Sequence, residues 1–454
     1  VDGCGTGALK ILLTVHQFFP DFAAGTEVLT RSVALELMRR GHQVHVLTAF
    51  PSEHLLADDQ RCDEYDVEGI HVYRFHHAYT PMAGQNAMVA LSYDNHLAAD
   101  YFSKIVARFK PDVVHFFHLN RLGTGLIDRA VQTGLPAFMT PTDFWSVCPT
   151  AQLVLCNGQL CQGPGTPAGN CVKHFAQSTQ QGLTGVMARW LPTPAANLLV
   201  RLTQAGVLPP YPHRAEVSAI GARLASNVSR LNKLTKILAP NRPMRDLLVR
   251  HGVLPSLVTL AGYGIDLAAP AQGQRPPPRQ PLRIGFIGTL ARHKGCHVLI
   301  EAFKALPPGR AALKIYGNVH DFPGYAQALQ QSAGQHPGIV FCGVFPNANI
   351  AQVLAGLDVL VVPSLWAENT PLVLHSAQAA RCVVVASDFA GIAEVIEHEV
   401  NGLLFKAGNA AALTRQLTRL TGEPGLAERL SANTRPPKST ARYVDELLTV
   451  WQAA

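Results

Sequence analysis

SLWAENTPLVLHSAQAARCVVVASDFAGIAE, residues 364–394, decides how the rest of the chain is read. An apolar strand, residues 359–363, runs into it, and Glu368 sits at the turn. Pro371 then opens a helix carrying Leu372, Leu374 and Ala377, and a second apolar strand follows at residues 382–386. A carboxylate at the carboxyl end of a parallel strand, beside a helix N-terminus, is how α/β sheets hold hydroxyl-rich and phosphorylated ligands. The other parts of the chain are expected to supply the remaining walls of that site.

The same rhythm extends on both sides. Residues 282–288, 313–317, 339–342 and 358–363 read as strands, and residues 295–306 as a helix with Leu299, Phe303 and Leu306 on one face. Towards the N-terminus, residues 9–15 are a buried strand, 26–40 a helix stopped by Gly41, and 42–49 a second strand, together a βαβ unit. Strands at 69–75, 112–117, 135–140 and 234–239 alternate with helices at 93–109, 123–133 and 243–251. Such alternation implies parallel sheets covered on both faces.

Three segments break the pattern. Residues 143–177 carry four cysteines, about 178–232 form a helical insertion, and 268–281 are a linker rich in Pro, Gln and Ala. The chain therefore divides into an N-terminal domain, 1–267, the linker, and a C-terminal domain, 282–436. A last helix, 437–454, repeats Val444, Leu447, Leu448 and Trp451 at helical spacing. It either closes the second domain or crosses back onto the first.

With 454 residues the chain is too long for one ordinary core, and 48% apolar against 15% charged residues excludes disorder. A net charge of +7 suits a protein that handles anions. Lys and Arg are dispersed and no nucleic-acid motif appears, so no nucleic-acid partner is expected. No run is apolar enough to span a membrane. Nine cysteines without a secretion signal suggest a reducing, cytoplasmic setting, and the start at Val1 reads as a truncation or a cloning remnant.

GFIGTLARHKG (285–295), YGID (263–266), SLWAENTPLV with VVVASDFAGIAEVI, and NGLLF (401–405) resemble glycosyltransferase family 4. HQFFPDFAAGTE (16–27), followed by GHQVHVLT, resembles the acceptor domain of the same family. The resemblance covers most of the chain except roughly residues 172–230. It implies a GT-B architecture of two Rossmann-like, doubly wound domains facing across a cleft. It also implies a retaining transferase that uses a nucleotide-diphosphate sugar, such as GDP-mannose or a UDP-sugar, and no obligatory metal. The acceptor would be a glycan or a lipid-linked hydroxyl, as in polysaccharide and cell-envelope synthesis. A non-catalytic sugar-nucleotide-binding partner and a sugar-nucleotide epimerase on the same fold are the alternatives.

Residue by residue, Lys294 at its strand-to-helix turn offsets diphosphate charge, and Arg292 stands near the position where the family has Arg and this chain has Thr289. Glu368, Asn369, Thr370, Pro371 and Leu372 form the donor loop, with Glu368 as the first glutamate of the family's paired motif. The second falls at Ser376, too short to hold a ribose in the same way. Gly25 lets backbone approach a phosphate or the acceptor. His118 and Asp143 follow strands of the first domain, where they orient the acceptor hydroxyl or take its proton. Cys148, Cys156, Cys161 and Cys171 lack the paired spacing of a zinc ribbon; zinc is the alternative to free or disulfide-bonded thiols. The stretch 187–208 either packs on the first domain or makes a peripheral contact with the inner face of a membrane.

Overall fold

A computed structural model describes residues 7–52, 56–179, 190–267 and 280–453. Most of the expected linker, residues 268–279, lies outside these, as do residues 1–6 and the part of the helical insertion from 180 to 189. The chain falls into two units, Val1–Tyr263 with Thr440–Ala454, and Gly264–Ser439.

The first unit is built on an eight-stranded sheet. Its strands are β1 (Lys10–Val15), β2 (Gln43–Pro51), β3 (Cys62–Val67), β4 (Ile70–His77), β5 (Val113–Phe116), β6 (Ala137–Met139), β7 (Lys236–Ala239) and β8 (Val258–Leu260). Their order is β3-β4-β2-β1-β5-β6-β7-β8, parallel throughout except that β3 pairs antiparallel with β4. All four residues of β5 are buried, which is what a strand covered on both faces requires. Each such apolar side chain contributes roughly 1.5–3 kcal/mol by leaving water.

Two sequence expectations change here. β3 was not expected at all. Its residues Asp63, Glu64 and Asp66 are polar because β3 is an edge strand, and they pair across the ladder, Asp63 with Arg74 and Asp66 with His71. The helix expected over 93–109 is two helices, Met88–Tyr93 and His96–Phe109. Asn95 separates them by capping the second, its Oδ1 accepting from the Ala98 amide at 3.0 Å.

The final helix, Thr440–Gln452, packs within the first unit. Tyr443 meets Thr140 hydroxyl to hydroxyl at 3.1 Å, and Trp451 Nε1 donates to His115 Nδ1 at 3.2 Å. His115 also meets Thr140 Oγ1 through Nε2 at 2.9 Å, so both ring nitrogens are engaged. Burial holds this imidazole down at about 3, and it acts as a neutral peg under the helix.

The helix Thr193–Gln204 buries Ala196, Val200 and Thr203, and Val200 lies against Gly221 of the helix Arg214–Leu231. Trp190, Leu198 and Val207 stay exposed. No helix among the described residues is long and apolar enough to cross a membrane.

The second unit carries a six-stranded parallel sheet of β9 (Leu282–Ile287), β10 (Ala311–Tyr316), β11 (Ile339–Gly343), β12 (Val359–Val362), β13 (Val383–Ser387) and β14 (Gly402–Phe405). The order is β11-β10-β9-β12-β13-β14. The chain steps from one side of β9 to the other between β11 and β12, so the carboxyl ends of β9 and β12 flank a switch point.

Candidate active site

At that switch point two of the residues singled out in the second unit meet. Lys294 ends a 3₁₀ turn after β9, and Glu368 lies in the loop after β12. Lys294 Nζ donates to Glu368 Oε1 at 2.7 Å, and Ser364 Oγ donates to the same oxygen at 2.7 Å. The ammonium also sits 4.9 Å from the Trp366 ring centroid. Glu368 is buried and Lys294 is about a quarter exposed, so the pair presents its cationic end outward. Two polar groups on one carboxylate oxygen leave Oε2 available to a ligand hydroxyl.

The backbone supports this arrangement. Gly295 adopts φ 74°, and a Cβ there would stand 1.8 Å from the Pro363 carbonyl oxygen. Only glycine lets the lysine turn approach the loop after β12 this closely. The helix Leu372–Ala379 begins directly after Pro371, and its first-turn amides are ready-made anion donors. Thr370 Oγ1 donates to the Asn369 carbonyl at 2.7 Å, and Asn369 is buried. Ser376 donates to the Leu372 carbonyl one turn back at 3.1 Å, and Arg292 is exposed.

In the first unit, the carboxyl ends of β1, β5 and β6 bring four titratable groups together. Leu13 of β1 pairs with His115 of β5, so His16 and His118 both lie three residues beyond that rung, with ring centroids 4.2 Å apart. His118 Nδ1 accepts from the Asn120 amide at 3.0 Å, which places the ring proton on Nε2, and that nitrogen donates to Asp143 Oδ2 at 2.9 Å. The other oxygen of Asp143 accepts from the Trp145 amide at 2.8 Å.

His118 is buried with both ring nitrogens occupied, and it holds Asp143, whose carboxylate is about a quarter exposed. Gly25 is the first residue of the helix Gly25–Arg39 and stands two residues before Glu27.

His16 and Glu27 were not singled out as site residues. His16 Nε2 lies 3.6 Å from Glu27 Oε1, and neither Glu27 oxygen makes a full hydrogen bond. Burial pushes the Glu27 carboxyl up to about 7, against smaller opposing effects from its own amide, His118, Gln17 and Ala24. Burial, then His118 and Arg121, pulls His16 well below its ordinary value. The signal available in sequence was the GTE triplet, which fixes a helix start but not what its glutamate faces.

Arg223 holds the Asp143 loop from behind. It is 1% exposed, donates to Val147 O at 3.1 Å and to Trp145 O, and lies over the Trp145 ring at 5.1 Å. Asn227 adds a bond to Ser146 O at 2.9 Å.

The four cysteines of this loop do not form a metal centre. Cys148, Cys161 and Cys171 border one small cavity with His174, while Cys156 is exposed and its thiol contacts the His174 carbonyl. Among the described residues no three His, Cys, Asp or Glu side chains are arranged to hold a metal ion. The zinc alternative does not fit this donor set. Burial pushes the Cys171 thiol up to about 12, as expected of a core thiol.

Comparison with known proteins follows the same division. Residues 24–188 match the family described as glycosyl transferase 4-like domain, and residues 281–423 match glycosyl transferases group 1. An uncharacterized glycosyltransferase of Methanocaldococcus jannaschii is 31% identical over 151 residues, covering 33% of this chain and 38% of that protein. The amylovoran biosynthesis glycosyltransferase AmsK of Erwinia amylovora is 32% identical over 151 residues, covering 31% and 36%. The alpha-maltose-1-phosphate synthase of Mycolicibacterium smegmatis is 28% identical over 222 residues, covering 45% and 57%. The matched stretches thus span little more than half of these relatives at most. Among solved structures, Anabaena HepE in complex with UDP and glucose has a TM-score of 0.64 at 15% identity, covering 98% of this chain and 100% of that one. The sucrose-phosphate synthase of Thermosynechococcus elongatus has a TM-score of 0.61 at 16% identity, covering 98% and 97%. At these identities the structural likeness establishes the fold.

Proposed function

The chain belongs to the glycosyltransferases of the GT-B fold, and we propose that it transfers a sugar from a nucleotide diphosphate to an acceptor hydroxyl with retention at the anomeric carbon. The observation that carries this reading is the Lys294–Glu368 pair at the switch point of the second sheet. Lys294 and the first-turn amides of the helix Leu372–Ala379 take the diphosphate charge, and Glu368 accepts from hydroxyls of the sugar. Departure of the diphosphate needs charge stabilisation more than covalent help, and a lysine with a helix terminus supplies it.

Asp143 orients the acceptor hydroxyl, and the leaving diphosphate accepts its proton on the same face of the sugar. His118 and the Trp145 amide each hold one oxygen of Asp143. A UDP-sugar is the donor to examine first, since HepE is solved with UDP and glucose. A glycan or lipid-linked acceptor fits the amylovoran relative, and exposed Trp190, Leu198 and Val207 support contact with a membrane that carries a lipid-linked one.

The reading is tested by thermal shift with UDP-, GDP- and ADP-sugars. One of them raises the melting temperature by mass action, and Lys294→Ala and Glu368→Ala abolish the shift while the unliganded protein still melts cooperatively. No shift with any of the three overturns it.

A further inference from the structure

A second cluster of buried, unpartnered polar atoms lies at the carboxyl edge of the first sheet, on the β4 side. His77 is the last residue of β4 and is 1% exposed, and neither of its ring nitrogens has a partner. Thr80 Oγ1 and Arg121 Nε are likewise buried and unpartnered. Arg61, 2% exposed, donates from NH1 to the His76 carbonyl, and its Nε stands 3.5 Å from Asp58 without hydrogen-bond geometry. Buried polar groups in native folds are nearly always paired, so several donors left open together mark a place where a ligand completes them.

The sign of the missing partner follows from the charges. Among the described residues the side-chain hydrogen-bond partner of Arg121 is the neutral amide of Gln17, at 3.3 Å. Burial, then Arg121 and Arg61, pulls the His77 imidazole down to about 3, so it is a neutral ring offering one N–H. Arg121 and Arg61 both act on the His77 ring, and among the described residues the carboxylate recorded beside these two guanidiniums is that of Asp58, against Arg61. An anion balances this set; a cation or a neutral group does not.

The placement is built in. Arg121 holds φ 70°, a left-handed conformation that a residue other than glycine adopts at a cost. Its amide donates to Ser92 O, its carbonyl accepts from Asn95 Nδ2, and two residues on a Cβ at Gly123 would stand 2.7 Å from the Asn95 amide. The loop is thereby fixed, with Arg121 electrostatically coupled to His16 on one side and to His77 on the other. Tyr79, 62% exposed, and His77 lie perpendicular to one another with centroids 4.9 Å apart. Exposed aromatic faces are platforms for sugar rings.

We propose that this cluster is an anion subsite for the acceptor: Arg121 and His77 bind a carboxylate or phosphate of the acceptor, and the attached sugar ring stacks on Tyr79. The proposal rests on the transferase reading above and adds the chemical class of acceptor, an acidic one. It sets the acceptor's register, since the anionic group is held beside the His16, His118 and Asp143 constellation.

The experiment uses the full chain and three probes followed by calorimetry. One is a disaccharide ending in glucuronic acid, one is its neutral methyl ester, and one is N-acetylglucosamine linked through diphosphate to farnesol. UDP is titrated in parallel. One of the two anionic probes binds the wild type and the methyl ester does not; the carboxylate arm and the diphosphate arm identify the source of the charge. Arg121→Gln weakens that probe at least tenfold and leaves UDP unchanged, and Tyr79→Ala, at a residue 62% exposed, weakens it about threefold or more. The subsite is overturned if the ester binds as well as the acid, if Arg121→Gln weakens UDP to the same degree, or if neither anionic probe binds. Failure of UDP and of the UDP-, GDP- and ADP-sugars alike, with the acidic probe still bound through Arg121, sinks the transferase reading and leaves the subsite standing.

Discussion

His118 donates to Asp143 at 2.9 Å while the Asn120 amide fills its other nitrogen at 3.0 Å. The roles proposed for the two residues therefore differ although they touch. Asp143→Asn is expected to lower kcat about 100-fold with the donor affinity unchanged. His118→Gln, which keeps a donor but loosens the geometry, is expected to lower kcat about tenfold. Steady-state kinetics at saturating donor decide it: an equal loss in both variants refutes the division of labour.

The buried Glu27 carboxyl makes stability depend on pH in a definite direction. Its value is raised in the folded chain, from 4.5 to about 7. Below pH 4.5 it is protonated in both states and costs nothing. As pH rises towards 7 the unfolded chain ionises first, and stability falls by up to about 3 kcal/mol. Glu27→Gln is expected to melt at the wild-type temperature near pH 4.5 and several degrees above it at pH 8. A melting difference that does not grow across this window would remove the argument.

Gly295 is expected to tolerate no side chain. Gly295→Ala meets the Pro363 carbonyl at 1.8 Å and a φ of 74° together, a cost of about 3 kcal/mol or more. Nucleotide binding should disappear even where enough folded protein remains to titrate. Gly309→Ala, at φ 76° but with open space around it, is the control and should keep binding.

Arg223→Met removes two bonds that hold the loop of Asp143 while keeping most of the packing volume. Stability should fall by about 2–3 kcal/mol, because two buried carbonyls lose a charged donor. Limited proteolysis should then cut within residues 143–177 first. Cleavage unchanged from the wild type would show that the loop is held by other contacts.

Ser376 spends its hydroxyl on its own helix, bonding the Leu372 carbonyl at 3.1 Å. Ser376→Glu places a longer acceptor at the same helical position and is expected to raise nucleotide affinity about tenfold. Calorimetry with UDP and GDP measures it, and unchanged affinity would mean that residue 376 does not face the nucleotide.

How far the molecule could be read from its residues varies by element. β5 and β12 were plain, because strands buried on both faces are continuous apolar runs. β3 was hidden because an edge strand keeps its charges. Lys294 and Glu368 stood out in the sequence, each at a strand end beside a helix start, although nothing local showed that they touch across 74 positions. His16 and Glu27 were not legible. Their environment is made by β5 and by the loop that carries Arg121, about a hundred residues downstream, and burial there rather than any local pattern shifts both groups. The double occupation of His118 likewise needs the Asn120 amide in its folded position.

The helix Thr440–Gln452 has a consequence for how the protein is made. It belongs to the unit whose sheet is complete by Leu260, yet it is translated after the whole of Gly264–Ser439. At ordinary synthesis rates that delay is about 10–40 s. During it, the surface that Tyr443 and Trp451 will cover, around Thr140 and His115, stands open on a nascent sheet. The first unit is thus the first to begin folding and the last to finish, and a ribosome that stalls within the second unit strands both.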